Sequence, residues 1–182
     1  MPKRQARSLP KLWLMTDERF GDALLPTIAA LPRGSGIIFR HYSLDPIERQ
    51  ALFTAVSVAA RRYHHSLVVA GPALSVRRWQ VAGVHTKGRA QGAVLHTAPV
   101  HSAREAVAAT RAGTDLLFVS PVFATGSHPN AKVLGRVRFG LLIRTMRKPV
   151  IALGGMNKPR ARSLRAMKIY GWAAIAALAV TL

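Results

Sequence analysis

Cysteine is absent from the 182 residues. No disulfide framework, thiolate nucleophile or cysteine-based zinc site can form in this chain, and the absence fits a reducing compartment. Carboxylates are scarce: 7 Asp and Glu stand against 27 Lys and Arg, giving a formal net charge of +20. Aromatics make up 7% and do not interleave with the basic residues, so no base-stacking platform is evident. Long apolar runs are lacking too. The basic segment Met1–Pro10 is followed by no signal-peptide core, and Leu67–Leu74 is too short to span. Gly171–Leu182 stops short of the about 20 residues that a spanning helix needs. A soluble, cytoplasmic protein with no membrane partner is expected.

What is present is material for one packed domain. Apolar residues are 49% and charged residues 19%, which excludes a disordered chain, and the length suits a single core. The expected organisation is a basic tail over 1–10 and one domain over 11–182. The positive charge admits two kinds of partner. One is a nucleic acid, held by phosphate neutralisation. The other is an anionic small molecule, with the remaining cations on solvated faces. Lys158, Arg162 and Arg165 share one helical face and read as such a face.

Eight short apolar runs punctuate the chain: 12–15, 36–39, 67–70, 81–84, 92–95, 116–119, 150–153 and 172–175. They do not alternate with polar residues, so they read as strands buried on both faces of a parallel sheet. Helix signals lie between them. Asp45-Pro46-Ile47-Glu48 offers an N-cap, a proline at N1 and a glutamate at N3. It opens a helix to about Tyr63 whose apolar stripe reads Ile47, Ala51, Leu52, Ala55, Val56 and Ala59. Ser102-Ala103-Arg104-Glu105 is a capping box, with Gly113 as the stop. Asp22 reads as another helix start. Asn157 with Pro159 opens a helix that turns Leu164 and Met167 inward, and Leu141, Leu142 and Met146 mark one that ends before Pro149.

Repeated β-α units predict right-handed crossovers and a compact (β/α)8 TIM barrel, with an open doubly wound sheet as the alternative. The connection after strand four is too short for a helix, and little chain remains for a closing one. The apolar end, Gly171–Leu182, is a candidate subunit contact in a homo-oligomer, or a plug for the open side of the barrel.

Barrel ligands sit at the C-terminal ends of strands. That rule selects Asp17 and Glu18, Arg40 and His41, Gly71, His85 to Arg89, His96 and Thr97, Ser120 to His128, and Gly154 to Asn157. Asp17 and Glu18 are the only carboxylates in this set, too few for a two-sided magnesium cage. Groups suited to phosphate are plentiful. Gly154 and Gly155 bring bare amides to a helix start, Thr125, Ser127 and His128 offer donors, and Arg40 can grip phosphate bidentately. Among the histidines, His64 and His65 read as solvated or dipole-paired at a helix end and His101 as a loop residue. His128, on a long polar loop, is the best candidate for proton transfer. No catalytic triad is apparent.

From Leu12 to Leu178 the chain resembles the thiamine-phosphate synthase and thiazole tautomerase family. The most specific stretch is Gly113–His128 (GTDLLFVSPVFATGSH), supported by Gly83-Val84-His85 and by Pro149–Met156 (PVIALGGM). The resemblance implies a (β/α)8 barrel and a transferase reaction. Hydroxymethylpyrimidine diphosphate loses pyrophosphate, and the nitrogen of a thiazole phosphate attacks the resulting cation, with magnesium as the family cofactor. It assigns Arg40 to the pyrophosphate site, Thr125 and Ser127 to the phosphate loop with His128 in place of a lysine, and Gly154 and Gly155 to the thiazole phosphate. Arg40 and His128 are the implied catalytic residues.

The departures are specific. Ile38 and Tyr42 stand where a glutamine and a lysine are expected. Ala70-Gly71 replaces Asn-Asp, and Gly88-Arg89-Ala90 replaces an acidic segment, so both magnesium aspartates are missing. Pro99 stands near an expected serine, and Pro121 stands where the tautomerase would carry histidine. The expected protein binds a phosphorylated thiazole or pyrimidine without a bound metal, its synthase activity weak or lost. Lys87 and Arg89 are candidates to replace the metal's charge. The alternative is a non-catalytic phosphate-ligand-binding or nucleic-acid-associated protein on the same fold.

Overall fold

Eight short strands, most of them largely within the apolar runs, pair in sequence order until the last meets the first. The computed structural model describes residues 8–71, 79, 81–90, 94–126 and 131–180. Its strands are β1 (Leu12–Met15), β2 (Gly36–Phe39), β3 (Ser66–Ala70), β4 (Gly83–His85), β5 (Leu95–Val100), β6 (Leu116–Val119), β7 (Val150–Ala152) and β8 (Gly171–Ala174). All neighbours are parallel, and Trp13 pairing with Ala173 closes the ring. The fold is a (β/α)8 barrel, and the open sheet is excluded.

The α-helices are α1 (Leu24–Ala30), α2 (Pro46–Arg62), α3 (Ala103–Arg111), α4 (Gly135–Ile143) and α5 (Lys158–Ser163). Their caps follow the sequence signals. Asp45 accepts from the amides of Ile47 and Glu48, Ser102 from Glu105, and Asn157 from Arg160; each such cap is worth about 1 kcal/mol. Gly113 follows α3 at φ +82, a conformation that glycine adopts without strain. No helix follows β4 among the described residues, and a single 3-10 turn, Ala176–Leu178, follows β8. The chain is tied to the barrel before β1: Tyr170 donates to the Leu9 carbonyl and Trp13 to that of Pro10. At the other end, the Val180 amide donates to Thr27 on α1.

Two apolar layers result. Inside the barrel lie Trp13, Met15, Ile38, Val68, Leu116 and Phe118. Between strands and helices lie two further clusters, one around Phe39 and Phe53 and one around Val119 and Phe139.

Three readings need correction. On α2 the buried face is Phe53, Val56 and Ala60, while Ile47 is 82% exposed. The apolar stripe read from the sequence is thus displaced, with Phe53 rather than Ile47 and Ala51 turned to the core. Asp22 starts no helix: Asp17 caps the 3-10 segment Glu18–Ala23 instead. The fifth strand runs from Leu95 through Pro99 to Val100, three residues later than the apolar run suggests; Gly92 and Ala93 of that run lie outside the described residues. Tertiary pairing carries the polar pair His96-Thr97 and Pro99 into the barrel wall, against Leu116 to Val119 of β6.

Candidate site at the C-terminal mouth

The shift of β5 redraws the rim. His96 and Thr97 are buried in the wall, and His101 reaches the mouth in their place. The His101 Nδ1 lies 2.8 Å from the Ser120 carbonyl. A carbonyl oxygen only accepts, so Nδ1 is the donor in this contact. His85 lies inside the barrel. Its Nδ1 is 2.9 Å from Thr97 Oγ1, whose own proton goes to the Val84 carbonyl. Burial, with repulsion from Arg40 and His96, pushes its pKa down to about 3, so it is a neutral wall residue. His41 stacks on Phe39 and bonds Thr16 Oγ1 at 3.0 Å, and burial lowers its pKa. His65 is buried against the Ile28 carbonyl at 3.0 Å and is not solvated.

A cavity of about 510 Å³ opens at the mouth. Arg40, Thr125, Gly154 and Gly155 all line it; Ser127 and His128 lie outside the described residues. Gly154 and Gly155 have φ of +93 and +58. A Cβ on Gly154 would fall 2.6 Å from Pro121 Cα, and one on Gly155 2.2 Å from the Ala124 carbonyl oxygen. Glycine here is what lets the β7 loop press against the β6 loop. The helix beyond this turn, α5, has only six residues. The charge on the turn comes instead from Arg160, a residue the sequence reading passed over. Arg160 lines the cavity, donates to the Gly155 carbonyl and lies over the Phe123 ring at 4.9 Å.

The opposite wall holds Arg19 and Arg40 around one carboxylate. Arg40 Nη2 is 2.7 Å from Asp17 Oδ2, and its Nε donates to the Thr16 carbonyl at 2.7 Å. Arg19 grips the same carboxylate through Nε at 2.6 Å and Nη2 at 3.1 Å. The Arg19 hydrogen bond holds the Asp17 carboxyl below its usual range, with help from the charge of Arg40. Glu18 accepts from the Ser43 hydroxyl and amide, which lowers its pKa as well. Ala70 ends β3 and Gly71 follows it, and neither offers a ligand atom from a side chain. Lys87 is turned to Glu105 at 3.0 Å and is absent from the cavity lining, as is Arg89. Among the described residues, no three acids or histidines converge on one point.

The chain is a (β/α)8 barrel with a cavity at its C-terminal mouth, the end where proteins of this class build their sites. The chain belongs to the thiamine monophosphate synthase family, whose model matches residues 12–178. A Pyrococcus furiosus thiamine-phosphate synthase is 35% identical over 81 residues, 44% of this chain and 39% of that protein. That match spans about two fifths of the relative's length. An Aquifex aeolicus protein provisionally called thiamine-phosphate synthase 2 is 26% identical over 92% of this chain and 96% of its own. The structure of a thiamine phosphate pyrophosphorylase from Pyrococcus furiosus superposes with a TM-score of 0.76 at 22% identity, covering 91% of this chain and 85% of that one. The last likeness supports the fold. Among the described residues, no helix is long and apolar enough to cross a membrane.

Proposed function

We propose that this thiamine-phosphate synthase-like chain binds a phosphorylated thiazole or pyrimidine in the mouth cavity, with diphosphate-displacing synthase activity weak or lost. The carrying observation is the convergence of Arg19, Arg40 and Arg160 on one cavity whose paired carboxylate is Asp17. Three guanidinium groups and one carboxylate leave two positive charges, the count that a phosphate monoester dianion neutralises. Guanidinium edges suit phosphate oxygens, and the Gly154-Gly155 turn and Thr125 add small donors beside them. Apolar Met15, Leu153, Met156 and Ala174 supply a surface for a heterocycle.

The residues present do not suit the magnesium of the family. Asp17 is held by two arginines, Glu18 by Ser43, and Ala70-Gly71 offers no side-chain oxygen, whereas magnesium wants carboxylates with room for water and phosphate. The counter-charge is therefore assigned to the arginines. Binding and orientation remain within this chain's means. The stabilisation of a departing pyrophosphate, which needs more positive charge, is what it lacks.

Calorimetry with thiazole phosphate, with and without magnesium, tests the reading alongside a synthase assay with hydroxymethylpyrimidine diphosphate. Heat of binding that ignores magnesium, with little or no turnover, is expected. Absence of binding in both conditions, or brisk magnesium-dependent turnover, overturns it.

A further inference from the structure

The cavity uses three of the chain's cations, and many of the rest gather at the other end of the barrel. The connections into β2, β3 and β6 carry Arg33, Arg61, Arg62 and Arg111. Those into β7 and β8 carry Arg144, Arg147, Lys148, Arg165 and Lys168, and Lys11 immediately precedes β1. All are exposed except the half-buried Lys148. Parallel strands with antiparallel return helices place every one of these connections at the N-terminal face. Carboxylates avoid that face. Asp17, Glu18, Asp22, Asp45, Glu48 and Glu105 all follow strand C-terminal ends. The exception, Asp115, is turned to the His96 amide at 2.9 Å. Among the described residues, none of these cations makes an ion pair.

Helix dipoles account for part of this pattern, since cations stabilise helix C-termini. They account for Arg61, Arg62 and Arg111, which lie in last turns. They do not account for Lys11, Arg33, Arg147, Lys148 and Lys168, which lie outside the helices. A face so one-sided repels itself unless a polyanion covers it.

We infer that the N-terminal face of the barrel docks on the phosphate backbone of double-stranded nucleic acid, independently of the cavity at the other end. Arginine dominates the face, and guanidinium is the side chain best matched to phosphate. The exposed large apolar residues lie on helices, as Leu25, Val58, Val107 and Leu141 do, or in loops at the mouth end, as Tyr42 and Val133 do, and not in these connections. A membrane surface would want apolar side chains to insert beside the cations. Stacked aromatics that would hold single strands are missing from the face as well: Tyr63 is half-buried under Arg62. Contacts confined to the backbone imply binding without sequence preference.

Fluorescence anisotropy with a labelled mixed-sequence 24-base-pair DNA tests the inference, with an RNA duplex of the same sequence as a second arm. With five or six phosphates neutralised, the log–log salt slope is about −5, a loss of about 1000-fold between 50 and 200 mM salt. Helix α4 supplies the matched variants. Arg144→Glu/Arg147→Glu reverses two charges just past its C-terminal end; Arg136→Glu/Arg138→Glu reverses two in its first turns, at the mouth end. The first pair is expected to weaken binding at least tenfold and flatten the slope by about 2. The second should change it less than threefold, with thermal melts showing both variants folded. Saturating thiazole phosphate leaves duplex affinity unchanged. Equal losses in the two pairs, no duplex binding at 50 mM salt, or preference for oligo-dT or phosphatidylglycerol vesicles would each overturn the inference. None of these outcomes bears on ligand binding at the mouth.

Discussion

Trp13 fills the space that the missing side chain of Gly36 leaves open: a Cβ on Gly36 would fall 2.2 Å from the indole ring. The two residues are register partners on β1 and β2, and the indole is fully buried with its N–H on the Pro10 carbonyl. Gly36→Ala therefore forces a large, anchored ring to move. Overpacking of this kind costs about 1–3 kcal/mol, and urea unfolding should show a lower midpoint of that size. An unchanged midpoint would mean that the ring has a second seat.

Gly154→Ala should act on the site more than on the core. The added methyl meets Pro121 at 2.6 Å in a backbone at φ +93, so the β6 and β7 loops must separate. Phosphate-ligand affinity is expected to fall at least tenfold in calorimetry, with a modest loss of melting temperature. Full retention of affinity would show that this turn does not form the anion seat.

Asp17→Asn distinguishes an arginine-based site from a metal-based one by sign. If Asp17 occupies Arg19 and Arg40 in the absence of ligand, its removal raises magnesium-free phosphate affinity severalfold. If it were a metal ligand, removal would lower affinity and only in the presence of magnesium. The same variant alters acid stability. The folded-state pKa of Asp17 lies below the ordinary carboxyl value of 3.8, so its contribution is complete above that value and is lost as pH falls through the lower folded one. Melts between pH 5 and 2.5 should show a shallower decline in the variant.

His85 has the opposite chemistry and the same sign of pH dependence. Its pKa is about 3 in the fold against 6.5 when exposed. Between those values the unfolded chain takes up a proton that the folded chain refuses. Stability, complete above pH 6.5, therefore declines on acidification by up to about 1.4 kcal/mol per pH unit from this group. His85→Asn, which keeps a donor for Thr97, removes that component. Urea midpoints from pH 7 to 4 should fall less steeply in the variant; parallel profiles would place the imidazole in contact with water.

Much of the barrel was legible because strands buried on both faces are continuous apolar runs, and because Asp45, Ser102 and Asn157 mark helix starts with side chains of fixed geometry. The fifth strand was not legible. His96, Thr97 and Pro99 lack strand character, and only pairing with β6 holds them in the wall. That error hid His101 at the rim. Arg160 was missed for a related reason: as one cation among several after Asn157, it resembled a solvated helix face. A signal was present, because Asn157 as N-cap places Arg160 at N3, where its side chain turns back toward Gly155. The pairing of Asp17 with Arg19 and Arg40 joins three rim positions from two strands, which no local pattern reports.

With six of the seven carboxylates toward the opening, the positive charge of the floor is almost unopposed, and the molecule carries an electrical arrow with its head at the floor. In any negatively charged field it turns before it touches. A molecule landing floor-first leaves its opening toward bulk water, so small solutes enter and leave while the underside stays engaged.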